Sequence, residues 1–143
     1  MPMFLHVRSA KWPILDGEDN EIVNPSTYGK AFAEYLRSSL SNLGYDVPFC
    51  CCEDWGWWVE VKLPNKRVGL CCYRDHDENT DCDFVCSTSL DKNRVWCWSR
   101  FRFVDLTRPL AKLSDDLRTI FRDDPEVEYI GEVPEFPLWA NQS

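Results

Sequence analysis

The run Cys50-Cys51-Cys52-Glu53-Asp54-Trp55-Gly56-Trp57-Trp58 sets three thiols, two carboxylates and three indoles side by side. Thiols at close spacing raise the question of zinc, which is usually announced by two short-spaced ligand pairs such as Cys-x-x-Cys. The nearest patterns here are the 50–52 run, Cys71-Cys72, Cys82-x3-Cys86 and the single nearby His76. On a strand Cys50 and Cys52 face one way and Cys51 the other, so the three do not converge on one ion without a bulge. The reading is therefore thiols packed as small hydrophobes, with neither a metal nor another cofactor expected. Glu53 and Asp54 have the chemistry of an acid and a base, but neighbours on a strand point to opposite faces, which works against one shared site.

A second cluster, Asp75-His76-Asp77-Glu78-Asn79-Thr80-Asp81, places oxygen side chains at the first, third, fifth and seventh positions of a calcium-loop pattern. Thr80 stands where that loop needs glycine, Cys86 where it needs a bidentate glutamate, and the flanks read as strands. The better reading is an acidic, solvated loop that offers Asp75, Asp77 and Asp81 to a basic partner. The chain has only two histidines, His6 and His76. It has no nucleophile elbow, phosphate-cradling glycine loop, HExxH or dinucleotide fingerprint. No catalytic residue is assigned, and the expectation is a non-enzymatic protein.

The elements that would position these groups follow from periodicity. Tyr28, Phe32, Tyr35, Leu36, Leu40 and Leu43 recur at helical spacing, with Ser26 or Asn24 as cap and Gly44 as stop. From Tyr45 the period becomes two. Trp55, Trp57, Val59, Val61 and Leu63 share one strand face, and Asp54, Gly56, Trp58, Glu60 and Lys62 the other. Leu63-Pro64-Asn65-Lys66 turns the chain into a strand in which Val68, Leu70 and Cys72 alternate with Arg67, Gly69, Cys71 and Tyr73. A strand with Phe84, Cys86 and Thr88 follows, up to the Asp91-Lys92-Asn93 turn. A fourth strand sets Val95, Cys97, Ser99, Phe101 and Phe103 against Trp96, Trp98, Arg100 and Arg102. Asp105 or Thr107, then Pro109, opens a second helix with Leu106, Leu110, Leu113, Leu117, Ile120 and Phe121 on one stripe. Residues 126–133 add an edge strand, and the Pro-interrupted stretch 134–143 is an extended tail that folds back to bury its Trp139.

Helix, strands, helix predicts a single α+β domain over residues 1–143, a mostly antiparallel sheet of about four to six strands with two helices on one face. The opposite face then carries Trp58, Glu60, Lys62, Tyr73, Trp96, Trp98, Arg100 and Arg102. Trp and Arg are enriched at protein interfaces, so this face is either a partner surface or a cross-strand aromatic cluster stiffening an exposed sheet.

With 16 basic against 24 acidic residues the net charge is −8. That balance disfavours direct contact with a nucleic-acid backbone and suits a basic partner protein, including one that itself binds nucleic acid. No stretch reaches the length of a membrane span and the opening MPMFLHVRSAKWP lacks a leader pattern, so the expectation is a cytoplasmic chain with its eight Cys reduced.

The segment YGKAFAEYLRSSLSNLGYDV leading to Glu53-Asp54-Trp55-Gly56-Trp57, with a late helix ending in DDPEVEYI, resembles a group of small bacterial proteins of uncharacterised function. In these a helix beginning near a Tyr-Gly pair precedes a Glu-Asp-Trp-Gly-Trp strand. The likeness runs from Pro25 to Ile130 and implies one compact α+β domain but no activity. The triple Cys and the dense Trp of the fourth strand lie outside its pattern. By analogy of type, small acidic proteins poor in catalytic motifs include immunity proteins, antitoxins and anti-CRISPR inhibitors. The leading expectation is thus a stoichiometric protein-binding protein acting through Trp58, Glu60, Trp96, Trp98, Arg100 and Arg102 and the acidic loop. The alternatives are a small enzyme or ligand-binding domain with a pocket near Glu53/Asp54, and a homodimer joined through the sheet.

Overall fold

A computed structural model describes residues 3–25, 27–75, 82–90 and 94–138. The chain is α+β. Its strands are β1 (Phe4–Ser9), β2 (Asp46–Cys52), β3 (Trp57–Leu63), β4 (Lys66–Arg74), β5 (Cys82–Thr88), β6 (Arg94–Cys97), β7 (Arg102–Asp105) and β8 (Glu128–Val133). The helices are α1 (Lys30–Asn42) and α2 (Thr107–Asp123). Six strands form one sheet in the order β2-β3-β4-β5-β1-β8, every neighbouring pair antiparallel, and β6 and β7 form a separate two-stranded sheet.

Alternation in β3 puts Trp57, Val59, Val61 and Leu63 on one face, joined there by Val68, Leu70 and Cys72 of β4 and Phe84 and Cys86 of β5. The 3.6-residue period of the helices brings Phe32, Leu36 and Leu40 of α1, and Leu110, Leu113, Leu117 and Phe121 of α2, onto the same core. Phe32 and Phe121 stack with ring centroids 6.1 Å apart, so the helices also meet each other. Trp12 comes from the long connection after β1 and is buried among Phe32, Tyr35 and Phe84, at 4.8, 4.9 and 5.0 Å.

Two helix starts show how local sequence is supplemented from elsewhere. At α2, Asp105 Oδ1 accepts hydrogen bonds from the Thr107 N–H (2.9 Å) and hydroxyl (2.5 Å), satisfying a donor that the first turn leaves open. At α1 the N-cap position is Gly29 and not Asn24. Asn24 bonds instead to the Asp54 carbonyl, Ser26 lies outside the described residues, and Gly29 has no side chain to offer. Glu18, fully buried on a 3-10 turn (Glu18–Asn20), supplies the acceptor: its carboxylate takes N–H groups from Leu15 (3.0 Å), Gly29 (2.9 Å) and Lys30 (3.2 Å).

Two expected placements are corrected. Cys50–Trp58 is two strands joined by a reversal: Cys52 pairs with Trp57, and the Glu53 N–H bonds to the Gly56 carbonyl at 2.7 Å. Trp55 therefore leaves the core face and packs on Tyr73 at 5.3 Å. Gly56 is required there, because a Cβ would lie 2.6 Å from the Cys72 carbonyl oxygen. The expected single strand from Val95 to Phe103 is likewise a hairpin, turning through Trp98-Ser99-Arg100-Phe101 with Phe101 in the left-handed region at φ 53°.

Candidate interaction surface

The sheet face away from the helices is not one open aromatic plane. Trp58 is half-buried and lies across the backbone of Gly69, where a Cβ would come within 2.3–2.4 Å of three of its ring atoms. The register explains the seat. Gly69 pairs with Glu60, so Trp58 reaches it diagonally and fills the space a side chain would take. Glu60, also half-buried, binds Arg67 at 3.1 Å. Further along the same face, Phe136 returns from the tail to pack edge-on against Tyr73 (4.6 Å) and Phe4 (5.7 Å). Trp139 lies outside the described residues.

The most exposed aromatic groups are on the β6–β7 hairpin. Trp98 is 76% exposed, Phe101 74% and Phe103 54%. They gather around half-buried Trp96, which meets Phe103 at 5.2 Å, Phe101 at 5.3 Å and Trp98 at 5.7 Å, all edge-to-face. Cross-strand pairing creates the cluster, since Trp96 faces Phe103 across the ladder, and Arg94 covers Phe103 at 5.3 Å. Val95, Cys97 and Val104, on the other hairpin face, pack into the core or against it and hold the ribbon in place. The Trp96 Nε1–H is buried without a hydrogen-bond acceptor among the described residues. The cluster thus carries a desolvation cost instead of being optimised for its own stability.

Of the residues singled out in the sequence, the structure brings Trp96, Trp98, Arg100 and Arg102 together on this hairpin and leaves Trp58 and Glu60 on the large sheet. Because the chain reverses, Arg102 pairs with Cys97 and shares its face, opposite Trp96, while Phe101 and Phe103 join the aromatic side. Asp75 directly follows β4 and donates its N–H to the Asp83 carbonyl at 2.9 Å. Asp77 and Asp81 lie outside the described residues. Sequence alternation assigned Phe101 and Phe103 to a core face, and no glycine, proline or asparagine marks the turn that exposes them.

The thiols occupy contrasting environments. Burial pushes Cys50 and Cys71 up to about 11 and raises Cys72 and Cys86 as well. Cys97 is shifted down: the Ser99 hydroxyl, 3.2 Å from its sulfur, and the Arg100 N–H favour the thiolate. Among the described residues no group of three or more His, Cys, Asp or Glu side chains could hold a metal ion. No described helix is long and apolar enough to cross a membrane. Beside the thiol run lies a cleft of about 490 Å³ that includes Lys30 and Glu34 but not Glu53, Asp54 or a histidine. His6 is on the far face of the sheet, bonded through Nε2 to Asp83 at 2.9 Å. Comparison with protein families, curated proteins and solved structures finds no match to this chain.

Proposed function

We propose that this is a non-enzymatic protein-binding protein of the stoichiometric type, and that the β6–β7 hairpin is its contact surface. The observation that carries the reading is the cluster of Trp98, Phe101 and Phe103, each more than half exposed, packed around Trp96. Scattered exposed apolar residues are ordinary, but a contiguous aromatic patch set among arginines has the make-up of an interface hot spot. Its rings hold one another in place before a partner arrives, so little side-chain freedom remains to be lost on binding. Trp58 has a role within the fold that accounts for its position, which moves the proposed contact from the large sheet to the hairpin.

The test is a Trp98→Ala/Phe101→Ala double variant used as bait beside the unaltered protein in the native cell. Both side chains are solvent-facing, so the thermal transition is expected to stay nearly unchanged while partner capture falls at least about tenfold. Capture at the original level by the folded variant would refute the hairpin as the contact. Sedimentation of both proteins identifies a second copy of the chain, if that is the partner.

A further inference from the structure

The flank of the aromatic tip has its own chemistry. A cleft of about 450 Å³ separates the β3–β4 turn from the β6–β7 hairpin, with Lys62, Lys66 and Arg67 on one side and Trp98 on the other. Leu63 adds apolar lining, and a hydrogen bond from the Cys97 thiol to the Asn65 carbonyl, 3.1 Å, ties the two walls together. Arg102 pairs with Cys97 across the ribbon and so belongs to the same hairpin face.

The charge here runs against that of the chain. The protein carries 24 acidic and 16 basic residues, yet the described lining of this cleft has three cations, Lys62, Lys66 and Arg67, and no carboxylate. Among the described residues Arg67 is ion-paired with Glu60, and Lys62 stands opposite Asp46 across the β2–β3 ladder without forming an ion pair. Lys62, Lys66 and Arg102 form no ion pair among the described residues, although the chain has acidic groups to spare. Like charges that outnumber their counter-charges repel one another, and an anion supplied from outside relieves that repulsion.

We propose that this cleft receives a short acidic segment of the partner protein, its carboxylates meeting Lys62 and Lys66 and an apolar side chain lying between Leu63 and Trp98. The inference rests on the hairpin being a protein contact and specifies what that partner presents. A nucleic-acid strand fits less well. It carries a charge at every nucleotide over a long run and meets a chain whose net charge is −8, whereas a short acidic peptide segment can be confined to the few cations of the cleft. Charge pairs at an exposed rim act mainly on encounter rate and are screened by salt, so the contribution is expected to weaken at high ionic strength.

The experiment uses the full chain, isotopically labelled, titrated with a peptide of roughly ten residues in which Glu and Asp flank a Leu-Phe pair. Saturable shifts of the Lys62 and Lys66 amides and the Trp98 indole N–H below ~1 mM peptide are expected. Lys62→Glu/Lys66→Glu should weaken binding at least about tenfold, with Lys62→Gln/Lys66→Gln between. A single-stranded oligonucleotide of equal charge should bind more weakly than the peptide. Absence of saturation, indifference to both Lys variants, or tighter binding of the oligonucleotide would each overturn the acidic-segment proposal. The two readings fail separately. Partner capture that Trp98→Ala/Phe101→Ala abolishes and Lys62→Glu/Lys66→Glu leaves intact sinks only the cleft, and capture indifferent to both sinks the hairpin as well.

Discussion

If the Trp58 ring occupies the space where Gly69 lacks a side chain, adding one methyl should be felt mainly through that ring. An alanine Cβ at position 69 would stand 2.3–2.4 Å from three atoms of the Trp58 ring. Carbon atoms settle at about 3.5–4.0 Å, so the ring must move by more than ~1 Å and abandon its seat. Overpacking of this kind costs about 1–3 kcal/mol. Trp58→Ala removes a half-buried ring and should cost roughly 1–2 kcal/mol. In that background the obstacle is gone, and Gly69→Ala should become neutral or stabilising by up to ~1 kcal/mol, since alanine is less costly to order in a strand than glycine. The two substitutions should therefore be coupled by about 2–3 kcal/mol, well beyond the ~0.5 kcal/mol expected of independent sites. Urea unfolding of the four proteins, read by circular dichroism with a common slope, measures the cycle directly. Additivity would mean that Trp58 does not depend on Gly69, and the case for a role within the fold would collapse.

Glu18→Ala removes the acceptor of the buried Gly29 N–H and of the part-buried Leu15 and Lys30 N–H groups, and a loss of roughly 2–4 kcal/mol is expected in the same unfolding assay. Glu18→Gln should be milder, because its amide keeps an acceptor oxygen while its NH2 opposes one of those donors. Burial alone would raise Asp124, yet hydrogen bonds from Lys11 (2.6 Å) and the Tyr35 hydroxyl (2.7 Å) hold it below the ordinary carboxylate value. With the folded value depressed, its stabilisation is complete above the unfolded pKa near ~4 and is lost as pH falls from there through the folded value. Asp124→Asn should flatten that part of the stability profile, and an unaltered acid slope in denaturant titrations at successive pH values would count against the linkage.

The α+β class, the β3–β4 hairpin, the stop of α1 at Gly44 and the start of α2 near Asp105 and Thr107 are legible because each is written within a few residues. The reversal at Trp98–Phe101 is not. Aromatic and basic residues alternate from Val95 to Phe103 without a break in period, so a hairpin and a long strand share one pattern, and the left-handed residue is a phenylalanine. Glu18 as the cap of α1 is invisible for another reason, since its partners are met only after the intervening loop folds back. The cleft draws Lys62 and Lys66 from one hairpin and Trp98 from another, a proximity that neither segment encodes alone. Trp96, Trp98, Arg100 and Arg102 were identifiable by residue type, and the Phe residues beside them were concealed by the assumed register.

The strand order places β1 between β5 and β8, pairing Leu5 with Cys86 on one side and Phe4 with Val133 on the other. A chain emerging from the ribosome therefore makes β1 early, has nothing to pair it with until β5 exists, and has no partner for its other edge until β8 does. Meanwhile β2, β3, β4 and β5 can zip as consecutive neighbours. Closing the sheet means bringing together segments from opposite ends of this sequence, an ordering that is slow because the connecting chain must be restrained before the new contacts reward it. Until β5 is made β1 presents two unpaired edges, and with β5 in place one edge stays open to wrong partners for as long as β8 is still unmade.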